Sequence, residues 1–404
     1  MNNKERHIAR RLRREEKRNK KKIELADKYT NDKFIFDTFT LSDSFYQTGK
    51  ASRWKKSTQS YRASLLINSQ IASSALLEKT WKSKGFRTFS IKERGKVRLI
   101  QSVNPEEKCI QSTLSNNCLI PILTKYLIFD NGASLKYKGT DFALNRFTKH
   151  LRDYVRKNGL TGWIFFYDFE GYFRNIDRNI LKQLVRDKVI NDSVLWLYDD
   201  LIDNFGNTPG IGLGSQVSQI SAVYYPSSVD HCIKDFCGVK GYGRYMDDGY
   251  IIDADLHRLK QIVNLFMRKC NELSIKMNYK KCQFIRIDKP FTFLKTRFFI
   301  TKSGKVIRRI GRKAVTKERH RLRKFKSFIE QGKMPFKEVN LSFHSWLCGL
   351  TRGRSYHICL NTIRYFNELF KEYGGYRPPK KFYKKHGKQY KTICRALKVI
   401  ERSL

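Results

Sequence analysis

A chain of 404 residues is too long for one small core, and its length points to two or three subdomains. Its 82 Lys and Arg against 37 Asp and Glu leave a net charge of +45, a self-repulsion that a bound polyanion relieves, so nucleic acid is the natural partner. No apolar run approaches the ~18 residues of a bilayer span and no stretch reads as a signal peptide, so a cytoplasmic chain without a membrane partner is expected.

Residues 1 to about 30 form a basic arm of helical residues with almost no apolar face. Residues 1–22 hold 11 Lys and Arg and 3 Glu, a net of +8 that leaves +37 elsewhere, so the body itself is basic. A Ser-rich lead with helical stretches follows to about residue 80. The run Trp163-Ile164-Phe165-Phe166-Tyr167 reads as a buried strand that delivers Asp168 at its end. A helical pattern covers 178–189, and Leu213-Gly214-Ser215-Gln216-Val217-Ser218-Gln219 opens another helix whose glycines permit close backbone approach. Tyr245-Met246-Asp247-Asp248 reads as the tip of a β-hairpin, followed by a strand at 249–253 and a helix over 257–273. An Asp-Asp pair alone is more often a solvated turn. One carboxylate from a strand end plus two from a hairpin, however, assemble a hard-oxygen site for Mg²⁺. From Thr301 the chain turns strongly basic through Lys302, Lys305, Arg308, Arg309, Arg312 and Lys313, and helices are expected soon after. The segment Arg377–Lys385 interleaves aromatic and basic side chains, which suits single-stranded RNA. Nine cysteines without CxxC spacing are read as reduced thiols; His231, Cys232 and Cys237 lack a second pair for a zinc site.

Asp168 to Phe173 and Tyr245 to Asp248 together resemble the first catalytic motif and the YxDD box of a reverse transcriptase. The resemblance implies an α+β right-hand polymerase of fingers, palm and thumb, with a basic helical N-terminal arm and a basic helical thumb and C-terminal region. The implied boundaries are 1–30 for the arm, 31–160 for the lead and fingers, 161–300 for the palm and 301–404 for the thumb and RNA-binding region. Asp168, Asp247 and Asp248 would be catalytic, and with Phe169 would hold two Mg²⁺, for which Mn²⁺ can substitute. Lys96 and Arg98 stand where the family contacts the triphosphate, and Phe173 where it carries an aromatic steric gate against ribose. Gln219 is placed near the nascent base pair, and Lys281 is a candidate proton donor to pyrophosphate. Gly214, Ser218, Tyr245, Met246, Phe293, Leu294 and Trp346 are implied template or primer contacts. The segment Phe129–Ser134 is similar to the fingers segment that grips the template backbone. Lys295 departs from the Phe-Leu-Gly of the primer grip, which puts that assignment in doubt. Trp346 and Gly349 also suit a plain helix core, with Gly349 as a close helix contact.

The Ser218-Gln219 pair, where retroviral and group II intron enzymes usually carry Ser-Pro, resembles two bacterial groups. These are the defence-associated unknown-group enzymes and the mutagenic enzymes of diversity-generating retroelements; the wording around Gly212–Ile220 is closer to the defence group. The implied activity is RNA-directed DNA synthesis in antiphage defence, with a structured noncoding RNA template, dNTPs and a cDNA product as partners. A second reverse transcriptase, a small accessory protein and self-association remain open as further partners. A diversity-generating enzyme and a catalytically inactive RNA-binding subunit are the alternatives.

Overall fold

The apolar runs of the sequence become strands where turns bound them and helices where capping side chains start them. The computed structural model describes residues 3–93, 96–205, 209–353, 355–379 and 387–401. Its described strands form three sheets. β1 (Arg87–Glu93) and β2 (Lys96–Ser102) make an antiparallel pair from Arg87↔Ser102 to Glu93↔Lys96. β3 (Trp163–Asp168), β4 (Tyr242–Tyr245), β5 (Asp248–Asp253) and β6 (Gln283–Arg286) form the second sheet, in the order β4-β5-β3-β6. β7 (Phe291–Phe293), β8 (Thr296–Ile300) and β9 (Val306–Ile310) make an antiparallel meander. β3 lies inside its sheet, and Ile164, Phe165, Phe166 and Tyr167 are all buried. Coverage of both faces explains why its sequence is an unbroken apolar run rather than an alternating one.

Helix ends follow local chemistry. Asp177 caps Arg178–Arg186 by accepting from the Asn179 and Ile180 amides at 2.9 and 3.1 Å. The expected helix over 178–189 stops there, because Asn191 must be extended to cap the next helix, Asp192–Asp203. The helix expected over 257–273 runs Leu256–Glu272 and closes with Ser274 left-handed at φ 53° and the Ile275 amide returning to the Cys270 carbonyl at 2.9 Å.

Two compact units emerge, neither continuous in sequence. The first comprises residues 1–139, 165–252 and 256–283, and the second 140–164, 253–255 and 284–404. In the first, the arm is one helix, Asn3–Tyr29, and Thr38–Gly49 packs against both Leu65–Leu77 and Pro105–Leu114. In the second, the helices Arg312–Glu330, Phe336–Leu350, Tyr356–Leu369 and Gly387–Glu401 enclose a core of Leu322, Phe343, Leu347, Ile363, Phe366 and Ile393. Phe343 and Phe366 stack there with ring centroids 4.2 Å apart. A Cβ built on Gly349 meets nothing within 4 Å, so the close helix contact expected at that glycine is not made. Of the aromatic and basic segment 377–385, residues 380–385 lie outside the described residues. Among the described residues, no helix is long and apolar enough to cross a membrane.

Candidate active site

β3 ends at Asp168, and three main-chain hydrogen bonds fix that end. The Phe169 amide donates to the Asp247 carbonyl at 3.0 Å. On the other side, the Glu170 amide donates to the Lys276 carbonyl at 2.8 Å and the Asn278 amide to the Asp168 carbonyl at 2.9 Å. The hairpin of β4 and β5 pairs Tyr245 with Asp248, leaving Met246 and Asp247 as its tip. Gly249 follows because the Tyr167 ring lies where its side chain would stand. Strand end and hairpin tip thus bring Asp168, Asp247 and Asp248 into one electrostatic neighbourhood.

That neighbourhood disfavours three negative charges. Burial, then the charges of Asp247 and Asp168 and a hydrogen bond with Asp168, push the Asp248 carboxyl up to about 7. A cation from the chain is drawn in. Lys281 Nζ lies 2.6 Å from Asp168 Oδ2, and Asn278 Nδ2 donates to Asp168 Oδ1 at 2.8 Å. Burial opposes the Lys281 charge, but the hydrogen bond to Asp168 and the surrounding carboxylates outweigh it and hold the ammonium above its ordinary value. Among the described residues, no three His, Cys, Asp or Glu side chains are gathered closely enough to hold a metal ion as they stand. The donor chemistry still fits a hard divalent ion, since the groups are carboxylates crowded enough to repel and Lys281 is half-exposed and free to withdraw.

The hairpin tip has a buried anchor. Met246 is left-handed at φ 57°, which a non-glycine residue adopts at a cost of roughly 1–2 kcal/mol. Its carbonyl accepts from Arg244 Nη1 at 3.0 Å. Arg244 is fully buried, pairs with both Asp230 oxygens through Nε at 2.9 and 3.0 Å and through Nη2 at 2.7 Å, and donates to the Val223 carbonyl at 2.8 Å. Tyr242 adds a hydroxyl bond to Asp230 at 2.6 Å and meets the Tyr167 hydroxyl at 3.0 Å. Burial opposes the guanidinium charge, yet Asp230 holds it above its ordinary value. Sequence reading assigns no role to Arg244 or Asp230; the available clue is an arginine two residues before Met246, within a strand whose other side chains are apolar or aromatic.

The profile of the family described as Reverse transcriptase (RNA-dependent DNA polymerase) matches residues 86–298, more than half of the chain. The chain belongs to the reverse transcriptase family. Its α+β fold is the polymerase fold of that family. No curated protein matches it significantly. Among solved structures it is similar to the apo telomerase of Candida tropicalis truncated from its C-terminal domain, at 13% identity and a TM-score of 0.44, covering 59% of each chain. It is also similar to the telomerase of Candida albicans in complex with a TWJ fragment of telomeric RNA, at 12% identity and a TM-score of 0.48, covering 78% of this chain and 59% of that one. The chain therefore spans about three fifths of the length of these telomerase chains.

The remaining predicted residues of this reverse transcriptase are placed unevenly. Phe173 is half-buried, edge-on to Tyr172, and its carbonyl accepts from the Ile211 amide at 2.8 Å. Gln219 is exposed on the helix Gln216–Tyr224, whereas Ser218 is fully buried with no hydrogen-bond partner for its hydroxyl. A template contact by the Ser218 side chain is therefore not made in this conformation. Gly214, expected to approach a base pair, instead lets the backbone approach β2. At φ 117°, its Cβ would stand 2.9 Å from the Gln101 carbonyl oxygen, and the Gln101 amide donates to the Leu213 carbonyl at 3.1 Å. Lys96 and Arg98 lie on β2, and their side chains are outside the described residues. In the second unit, Phe293 is buried against Phe147, with ring centroids 5.0 Å apart, and Trp346 is half-buried beside Phe343. Leu294 and Lys295 form the β7–β8 tip at φ 45° and 63°, the type I′ pattern that favours glycine at the position Lys295 holds.

Proposed function

We propose that this chain is an RNA-directed DNA polymerase that copies a structured noncoding RNA into cDNA in antiphage defence. The observation that carries the polymerase reading is the convergence of Asp168, Asp247 and Asp248, with Asp248 pushed up by burial and then by its acidic neighbours, and Lys281 drawn in as counter-charge. Asp168, Asp247 and Asp248, with Phe169, are the residues that would hold two Mg²⁺. When bound, such ions activate the primer hydroxyl and neutralise the phosphates of the incoming dNTP.

The chain's own residues then act by position. Arg244 keeps the tip carbonyl of Met246 in place and thereby orients Asp247 and Asp248. Lys281, half-exposed and held on Asp168, would be the group that gives a proton to the leaving pyrophosphate. The Phe173 ring excludes a ribose 2′-hydroxyl, Lys96 and Arg98 take the triphosphate, and Gln219 meets the nascent pair. We assign residues 31–160 to the fingers, 161–300 to the palm and 301–404 to the thumb. Tyr245, Met246, Phe293, Leu294 and Trp346 lie along the template and primer. The defence role rests on the Leu213–Gln219 wording, which resembles that bacterial group.

The test is expression with native flanking DNA, followed by sequencing of the bound RNA and cDNA beside an Asp247→Ala/Asp248→Ala control. One abundant noncoding RNA with cDNA that vanishes in the control is the expected result. Repeat cDNA mutated at adenines would move the assignment to diversity generation. RNA without carboxylate-dependent DNA would leave an RNA-binding protein.

A further inference from the structure

The second unit contains a groove with a cavity volume of about 540 Å³, built without any catalytic carboxylate. One wall is the C-terminal part of the helix Thr140–Asn158, which contributes Arg152 and Arg156. The other is the loop between β8 and β9, which contributes Lys302 and Lys305. This loop is tied to itself: the Gly304 amide donates to the Thr301 carbonyl at 2.8 Å and the Lys305 amide to Thr301 Oγ1 at 3.0 Å. Gly304 packs close to the helix, since a Cβ there would lie 3.1 Å from Val155.

All four cations are exposed, none has an ion-pair partner among the described residues, and no acidic side chain lines the groove. The nearby Asp153 is already taken by Lys149, and Asp141 by Arg352. Arg308 adds to the crowding: burial and then the charge of Arg152 hold its guanidinium below its ordinary value. Basic residues at a helix C-terminus are ordinary on their own, because they complement the helix dipole. Two facing basic walls from different elements are not, because they repel each other until an anion lies between them. The groove also lacks any aromatic side chain, so it offers unpaired bases no stacking platform; phosphate and ribose are the chemistry it fits.

We propose that Arg152, Arg156, Lys302 and Lys305 form a docking site for the sugar-phosphate backbone of a base-paired RNA stem. The assignment rests on the reading of the chain as a polymerase with a structured RNA partner, but its test involves no catalysis. Binding of a labelled blunt RNA hairpin stem and of an unstructured single strand of equal length would be followed by fluorescence anisotropy across a salt series, using the full chain.

The groove variant Arg152→Gln/Arg156→Gln/Lys302→Gln/Lys305→Gln is compared with a charge-matched control, Lys55→Gln/Lys56→Gln/Lys79→Gln/Lys260→Gln, whose positions are exposed in the first unit. The groove variant is expected to lose about 10-fold or more in stem affinity at moderate salt. The slope of log Kobs against log salt should fall by about 3.6 in magnitude, the duplex value for roughly four phosphate contacts. The control should change less than threefold. The double variant Lys302→Glu/Lys305→Glu, altered only in the loop, should show the same selective loss if the larger variant folds poorly. Equal losses in groove and control variants, or a loss confined to the single strand, overturn the proposal. So does retained stem binding with lost binding of polyglutamate, which would make the groove a surface for acidic protein. If the parent chain makes no cDNA while the groove variant still shows the selective stem loss, the polymerase reading falls and the groove stands.

Discussion

The hairpins β4–β5 and β7–β8 both turn through two-residue tips, and both force non-glycine residues into left-handed backbone, Met246 in one and Leu294 with Lys295 in the other. They are held by opposite means. The first is pinned by a directional charge, since Arg244 reaches from Asp230 to the Met246 carbonyl in a fully buried network. The second is anchored by packing, with Phe291, Phe293 and Phe298 around Phe147. A tip that must present repelling carboxylates needs a restraint with a fixed direction. An aromatic cluster holds a strand in place but leaves tip dihedrals to local preference.

The sharpest way to break this comparison is Arg244→Met. It leaves Asp230 buried without its counter-charge, so stability to chemical denaturation should fall by about 3–5 kcal/mol. A loss below about 1 kcal/mol would show that the charge network does not restrain the first tip. Asp248→Asn probes the load on that restraint. The native Asp248 carboxyl keeps its proton up to about 7, whereas an unfolded one releases it near ~3.9. Folding therefore costs more as pH rises between those values, the reverse of a salt-bridged acid. In metal-free buffer the variant should gain about 2 kcal/mol over the parent at pH 8, allowing for screening of a partly exposed group, and the gain should shrink as pH falls to 5. A gain independent of pH would refute the crowding. The smallest effect belongs to the packed tip. Lys295→Gly should raise stability by roughly 0.5 kcal/mol, left-handed strain relieved being partly offset by added freedom in the unfolded chain. A thermal melt that moves downward would mean Lys295 contributes more by its side chain than its backbone costs.

Sequence alone carried the parts of this molecule whose chemistry is local. The run before Asp168 is buried on both faces and therefore continuous. The YMDD tip is bounded by paired strands, and the helix expected over 257–273 lies within one residue of its observed bounds. What escaped depends on partners distant in the chain. Lys281 meets Asp168 across 113 positions, and no local pattern reports that pairing. The same distance effect seats Gly214 against Gln101 and turns Ser218 inward. Arg244 was visible only as an oddity, because its partner Asp230 sits on a separate helix, Ser227–His231.

The three main-chain hydrogen bonds at the end of β3 have a consequence for heredity. Peptide groups at Phe169, Glu170 and Asn278 set the alignment of three separate segments, and every amino acid except proline supplies the same donor. Genetic drift can therefore rewrite the side chains around the carboxylates extensively while the spacing of the segments is inherited unchanged. The exceptions are substitutions to proline at those three positions, which a lineage can tolerate only by abandoning the alignment itself.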